Sequence, residues 1–230
     1  DNSTTWKARL MEGEADPRIA GQLGTLLATI HTQARGRKEL DDVFADTSLF
    51  DELRVDPYYR TAARAHPNLA SRIENLIAAM ELPKHERTLV LGDFSPKNIL
   101  VHPGGLILLD FECAHAGDAA FDLGFFLSHL ILKSVHARRA GFANPERYLN
   151  LSRQFWDAYH ERVERSTWHP EGLAGRAIAH TAACLLARVD GKSPVEYLDP
   201  EGQNSVRRLA ISAMEAQPRT WDDMTALAER

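Results

Sequence analysis

The stretch Leu91–Asp122, LGDFSPKNILVHPGGLILLDFECAHAGDAAFD, decides the reading of this chain. Two apolar runs, 98–101 (NILV) and 106–109 (LILL), flank His102, Pro103, Gly104 and Gly105. A four-residue link with Pro and two Gly between such runs signals a β-hairpin. If Val101 and Leu106 close the turn, Asn98 falls near Leu109, with facing Cα atoms about 5 Å apart. Asn98 and Asp110 then lie side by side at the open end. Asp93 sits in the loop that enters the first strand at that same end. Three oxygen-bearing side chains converge there without any long-range assumption.

Outward from the hairpin, 88–91 (TLVL) reads as a further buried strand. The rest is helical. Asp16 can cap a helix with Pro17 at its first position, and Ile19, Leu23, Leu26, Leu27 and Ile30 mark one apolar face. This helix is predicted to end near Gln33, with Gly36 as a stop. Gly21 and Gly24 fall inside its pattern and form no phosphate cradle. The first dozen residues read as an extended lead-in, and 36–48 as a polar loop. A helical stretch broken by Pro57 and Pro67 follows and ends at Pro83. After Asp118 the pattern predicts helices near 119–138, 145–165, 171–189, 203–215 and 219–229. The fold class is therefore α+β, mainly helical, around a small β element.

Bulk properties narrow the partners. The 230 residues are 44% hydrophobic and 26% charged, an ordinary globular profile. A net charge of −5 gives no electrostatic footprint for nucleic acid or an anionic membrane, and it suits a cationic or polyol ligand. No apolar run reaches the roughly 20 residues of a membrane span. Cys113 and Cys184 lie far apart, without metal-ligand spacing, which fits reduced thiols and a cytoplasmic setting. The ten histidines show no ligand spacing either. His31 reads as a cation at a helix end, and His129 and His136 as packing or surface residues.

The convergent trio carries the chemistry. Carboxylate and amide oxygens suit Mg²⁺, which keeps several waters. A loop carboxylate can accept a proton from a hydroxyl. An Asp, an Asn five residues later, and a second Asp followed by Phe are the parts of a phosphoryl-transfer site. Here they are Asp93, Asn98, and Asp110 with Phe111. Turn and cap roles are the bland alternative for such residues. A two-metal hydrolase on Asp93 and Asp110 is another, though it wants more ligands than the segment offers.

GDFSPKN, LLDFE and GDAAFDLG resemble the aminoglycoside phosphotransferase and choline kinase superfamily, which shares the protein-kinase-like fold. WKARLMEG, the helix ending at LATIH and the late ARVDGKSPVEYL resemble it more loosely, so the likeness covers nearly the whole chain. It implies an ATP- and Mg²⁺-dependent kinase acting on a hydroxyl of a small polar acceptor. By position, Asp93 is the implied catalytic base, and Asn98 and Asp110 the metal ligands. Asp122 braces the catalytic loop, and Lys97 reaches a phosphate. Glu112 meets metal-bound water or a cationic substrate, and Arg188 and Asp190 wall the acceptor pocket. Two departures stand out. Leu91 occupies the place where the family carries His. The strand-rich first lobe, with its phosphate loop and Lys, has no counterpart here. The chain thus reads as a C-terminal lobe over 1–230, with 1–15 as a lead-in near the hinge. These departures keep open a second reading, a catalytically inactive kinase-like binding module.

Overall fold

The structure, a computed structural model, describes residues 3–229. Strand β1 (Thr4–Thr5) runs into a short helix α1 (Trp6–Met11), capped by Thr5 Oγ1 accepting from the Ala8 N–H at 3.2 Å. The lead-in is thus extended for only two residues. Trp6 and Leu10 are fully buried and hold the helix down. Helix α2 (Pro17–Ala34) starts as its residues dictate: Asp16 Oδ1 accepts from the Arg18 N–H at 2.9 Å. The expected loop at 36–48 contains a short helix, α3 (Lys38–Val43), with Glu39 and Asp41 in its first turn. It buries no side chain, so no apolar periodicity announced it.

Helix α4 (Ser48–Phe50), a π-helical run (Asp51–Arg60) and α5 (Thr61–Ala65) follow without a break. Pro57 lies inside the π-helical run rather than ending it. Helix α6 (Ala70–Ala79) closes this half.

The β element comes next: β2 (Thr88–Val90), a 3₁₀ turn (Pro96–Asn98), β3 (Ile99–His102), β4 (Gly105–Leu108) and β5 (His115–Gly117). The hairpin register matches Val101 with Leu106 and Ile99 with Leu108. Strand β1 pairs with the other edge of β3. Strand β2 does not join the hairpin. It pairs antiparallel with β5, a three-residue strand without an apolar run that sequence reasoning missed.

Five helices follow among the described residues: α7 (Ala120–Arg139), α8 (Glu146–Glu164), α9 (Leu173–Asp190), α10 (Pro200–Ala216) and α11 (Trp221–Ala228). Helix α10 begins three residues earlier than its apolar pattern suggests, because Asp199 caps it and Pro200 opens it. Helix α7 is the axis of the core, buried along nearly its whole length between α8 and α9. Helix α2 lies along α8. At their crossing, a Cβ on Gly24 would meet the Phe155 carbonyl oxygen at 2.3 Å, so only glycine allows the approach. Among the described residues no helix is long and apolar enough to cross a membrane.

Candidate active site

The loop between β2 and the 3₁₀ turn is fixed from below by one buried carboxylate. Asp122, in the first turn of α7, is fully buried. Its Oδ2 accepts from the Leu91 N–H at 2.7 Å and its Oδ1 from the Gly92 N–H at 2.9 Å. His31 Nε2 lies 3.2 Å from Oδ2, and His31 Nδ1 lies 2.8 Å from the Tyr159 hydroxyl. Gly92 takes φ +73°, and a Cβ there would meet the Cys113 carbonyl oxygen at 2.5 Å. Backbone and carboxylate together aim the next residue, Asp93.

Asp93 is 3% exposed. Its Oδ2 is shared by Arg54 and Lys97, each 2.8 Å away. Ser95 Oγ donates to Oδ1 at 3.3 Å. Arg54 comes from the π-helical run and also donates from Nε to the Gly92 carbonyl at 2.8 Å. It therefore clamps the loop and the carboxylate at once.

Asn98 links the two halves of the predicted trio. Its Nδ2 donates to the Asp93 carbonyl at 3.1 Å and to Asp110 Oδ2 at 3.4 Å. The Leu109 N–H donates to the Asn98 carbonyl at 2.9 Å, which carries the ladder one step past β4. Asp110 is exposed and takes φ +64°, a left-handed conformation that costs a non-glycine residue about 1 kcal/mol or more. With the Asn98 amide nitrogen engaged, its oxygen and the Asp110 carboxylate are the two hard donors left at this corner. That donor set fits a Mg²⁺ ion that keeps waters and phosphate oxygens as its other ligands.

A cavity of about 130 Å³ opens on the other side of Asp93. Lys7, Arg54, Lys97, Lys133 and Arg188 line it, with Asp93 its single carboxylate. Larger grooves, of about 710 and 760 Å³, lie between α2 and α8 and beside α10, and neither reaches Asp93.

The structure thus brings Asp93, Lys97, Asn98 and Asp110 together, with Asp122 beneath and Arg188 at the cavity. Lys97 is ion-paired to Asp93 at its exposed end. Glu112 is exposed and lines no part of the cavity. Asp190 also stands apart, engaged by His66 at 2.8 Å and Arg207 at 2.6 Å. Sequence reasoning missed Arg54, which no local pattern marks. It also missed Lys133, which did leave a signal: one lysine directly after the apolar run Leu130, Ile131 and Leu132.

Fold and site together define a class: a mainly helical domain with a hairpin-borne cluster of oxygen donors beside a basic cavity. The chain belongs to the phosphotransferase enzyme family, whose profile matches residues 4–143. It is 32% identical over 213 residues to a methylthioribose kinase of Erwinia tasmaniensis, covering 80% of this chain and 53% of that protein. Two solved glucosamine kinase structures, one in complex with glucosamine, ADP and inorganic phosphate, align with TM-scores of 0.45 and 0.44 at 18% identity. They cover 99% and 100% of this chain, which covers 59% and 61% of theirs. The chain spans about half the length of the curated relative it matches.

Proposed function

We propose that this chain is the acceptor- and metal-binding lobe of a protein-kinase-like, ATP-dependent small-molecule kinase. The observation that carries the reading is Asn98 joining Asp93 and Asp110 at one corner, through bonds of 3.1 and 3.4 Å. In the reaction the bond from the γ-phosphorus of ATP to its bridging oxygen breaks, and a bond to the acceptor oxygen forms. The acceptor hydroxyl proton passes to the Asp93 carboxylate. Arg54 and Lys97 hold that carboxylate in place. A loose transition state asks little basicity of it, so positioning is its main contribution. Asn98 and Asp110 would hold Mg²⁺, which neutralises charge on the transferring phosphoryl group.

The test is transfer of label from γ-labelled ATP to a panel of sugars, amino sugars and amino alcohols by the full-length protein. Asp93→Asn is expected to lower kcat by about 10²–10⁴-fold, the usual contribution of a positioned acid–base group. Wild-type turnover in Asp93→Asn would remove Asp93 from the reaction.

A further inference from the structure

Lys133 is 2% exposed in the middle of α7. Among the described residues it has no hydrogen-bond or ion-pair partner, and it lies 5.4 Å from the centre of the Tyr197 ring. Burial first, then the nearby charges of Lys7 and Arg188, push its pKa down to about 7. Arg188 donates to the Tyr58 hydroxyl and the Ser193 carbonyl, yet its Nε is buried and unpartnered. His129 Nε2 and the Tyr197 hydroxyl are in the same condition. Five buried side-chain polar atoms lack a partner among the described residues, and three of them belong to residues lining this one cavity. Native proteins hold few such atoms, and each calls for an explanation. Asp93 cannot supply it, because Arg54 and Lys97 already share its outer oxygen.

A core lysine ordinarily pairs with an acid or reaches water along its stem. Lys133 pairs with no acid among the described residues, and its side chain lines the cavity. Asn98 and Asp110 line a separate small recess, and that recess shares only Asp93 with the basic cavity. Asp93 therefore stands between the proposed metal corner and a cluster of unpartnered polar groups.

We propose that the cavity behind Asp93 binds a small anionic acceptor, a hydroxyl compound bearing a carboxylate or phosphate that Lys133 and Arg188 neutralise. This rests on the phosphotransferase reading of Asp93 and narrows it against the cationic acceptor that net charge alone suggested. The anionic group engages Lys133, Arg188 and the Tyr197 hydroxyl, and the acceptor hydroxyl faces Asp93. At about 130 Å³ the cavity is well below the roughly 300–1,000 Å³ of drug-sized sites, which points to a compact acceptor.

The test compares matched acceptors in the full-length protein with Mg·ATP: glycerate against glycerol, gluconate against glucose, and glucosamine as a cation. Glycerol 3-phosphate separates phosphate from carboxylate recognition. The anions are expected to exceed their neutral partners by about 10- to 100-fold in kcat/KM, the scale of a charge-assisted hydrogen bond. Lys133→Met is expected to erase that preference through KM while leaving the KM for Mg·ATP within about twofold. It is also expected to raise the Tm of the ligand-free protein, because it removes an unpaired buried charge. Equal use of neutral or cationic acceptors by the wild type would overturn the proposal. So would a Lys133→Met effect on Mg·ATP instead of acceptor, or a lowered Tm, which would mark Lys133 as structural. Calorimetry of gluconate, glycerate and glycerol 3-phosphate without nucleotide reads the cavity independently of phosphoryl transfer. Anion binding lost in Lys133→Met supports the site even where no acceptor turns over, and binding of none of the three overturns it.

Discussion

At the scale of single residues, the site depends on Asp122. One buried carboxylate receives two backbone N–H groups of the Asp93 loop and contacts a buried histidine. Asp122→Ala would leave the Leu91 and Gly92 donors buried and unpaired, each at about 1–3 kcal/mol. Urea denaturation is expected to show a loss of about 2–6 kcal/mol in total. A loss below about 0.5 kcal/mol would mean that the loop holds itself. Asp122 was legible through the resemblance that GDAAFDLG carries. His31 was not, because it arrives from 91 residues away. Sequence reading took it for a helix-end cation. In the fold it stands under the same loop where the family places a histidine and this chain has Leu91. Lys133 adds a pH prediction. Its folded pKa, near 7, lies below its ordinary value of 10.5, so between them the unfolded chain binds the extra proton. Its destabilising effect is therefore full below pH 7 and fades as pH rises toward 10.5. The Tm advantage of Lys133→Met over wild type is expected to be larger at pH 6 than at pH 9. Equal differences at both values would show that Lys133 is not held as an unpaired cation.

At the scale of elements, what could be read was what repeats. The hairpin register followed from Val101, Leu106 and the turn between them. The long helices followed from their apolar faces and from caps such as Asp16. What could not be read was short or irregular: α3 without a buried side chain, β5 without an apolar run, and a π-helical run where Pro57 suggested a break. That last element matters most for the candidate site, because it delivers Arg54 to Asp93. Gly24 was read correctly as a helix residue, but its reason is tertiary. It lets α2 and α8 approach until a Cβ would sit 2.3 Å from the Phe155 carbonyl oxygen. Gly24→Ala gains helix propensity of about 1 kcal/mol, yet the clash with main chain costs about 1–3 kcal/mol or more. The clash is expected to win. Differential scanning calorimetry should show a Tm lower by several degrees, at about 2–4 °C per kcal/mol for a chain of this size. A raised Tm would show that the two helices can separate freely.

At the scale of the whole molecule, charge is distributed against its sum. The chain carries −5 overall, yet its cavity beside Asp93 is lined by five basic side chains and one carboxylate. The hairpin edge is different again: Ile107, Leu109 and Phe111 are exposed, at 47%, 40% and 52%, next to Asp110. Asn98 and Asp110, the residues proposed to hold the metal, therefore lie beside an apolar edge. A corner with one carboxylate and one amide cannot hold Mg²⁺ tightly by itself, since most of the ion's ligands must come from phosphate and water. Nucleotide and metal are then expected to bind together or not at all. Calorimetry on the 230-residue chain should detect Mg·ATP at one site with an affinity of about 0.1–1 mM, or roughly −4 to −5.5 kcal/mol. ATP without Mg²⁺, and Mg·ATP with Asp110→Asn, should give no signal in the same range. Binding that survives Asp110→Asn would move the metal away from the hairpin. Absence of Mg·ATP binding in the wild-type chain would show that contacts beyond these residues are needed to hold the nucleotide. The basic cavity would then be the part of the site this chain completes alone.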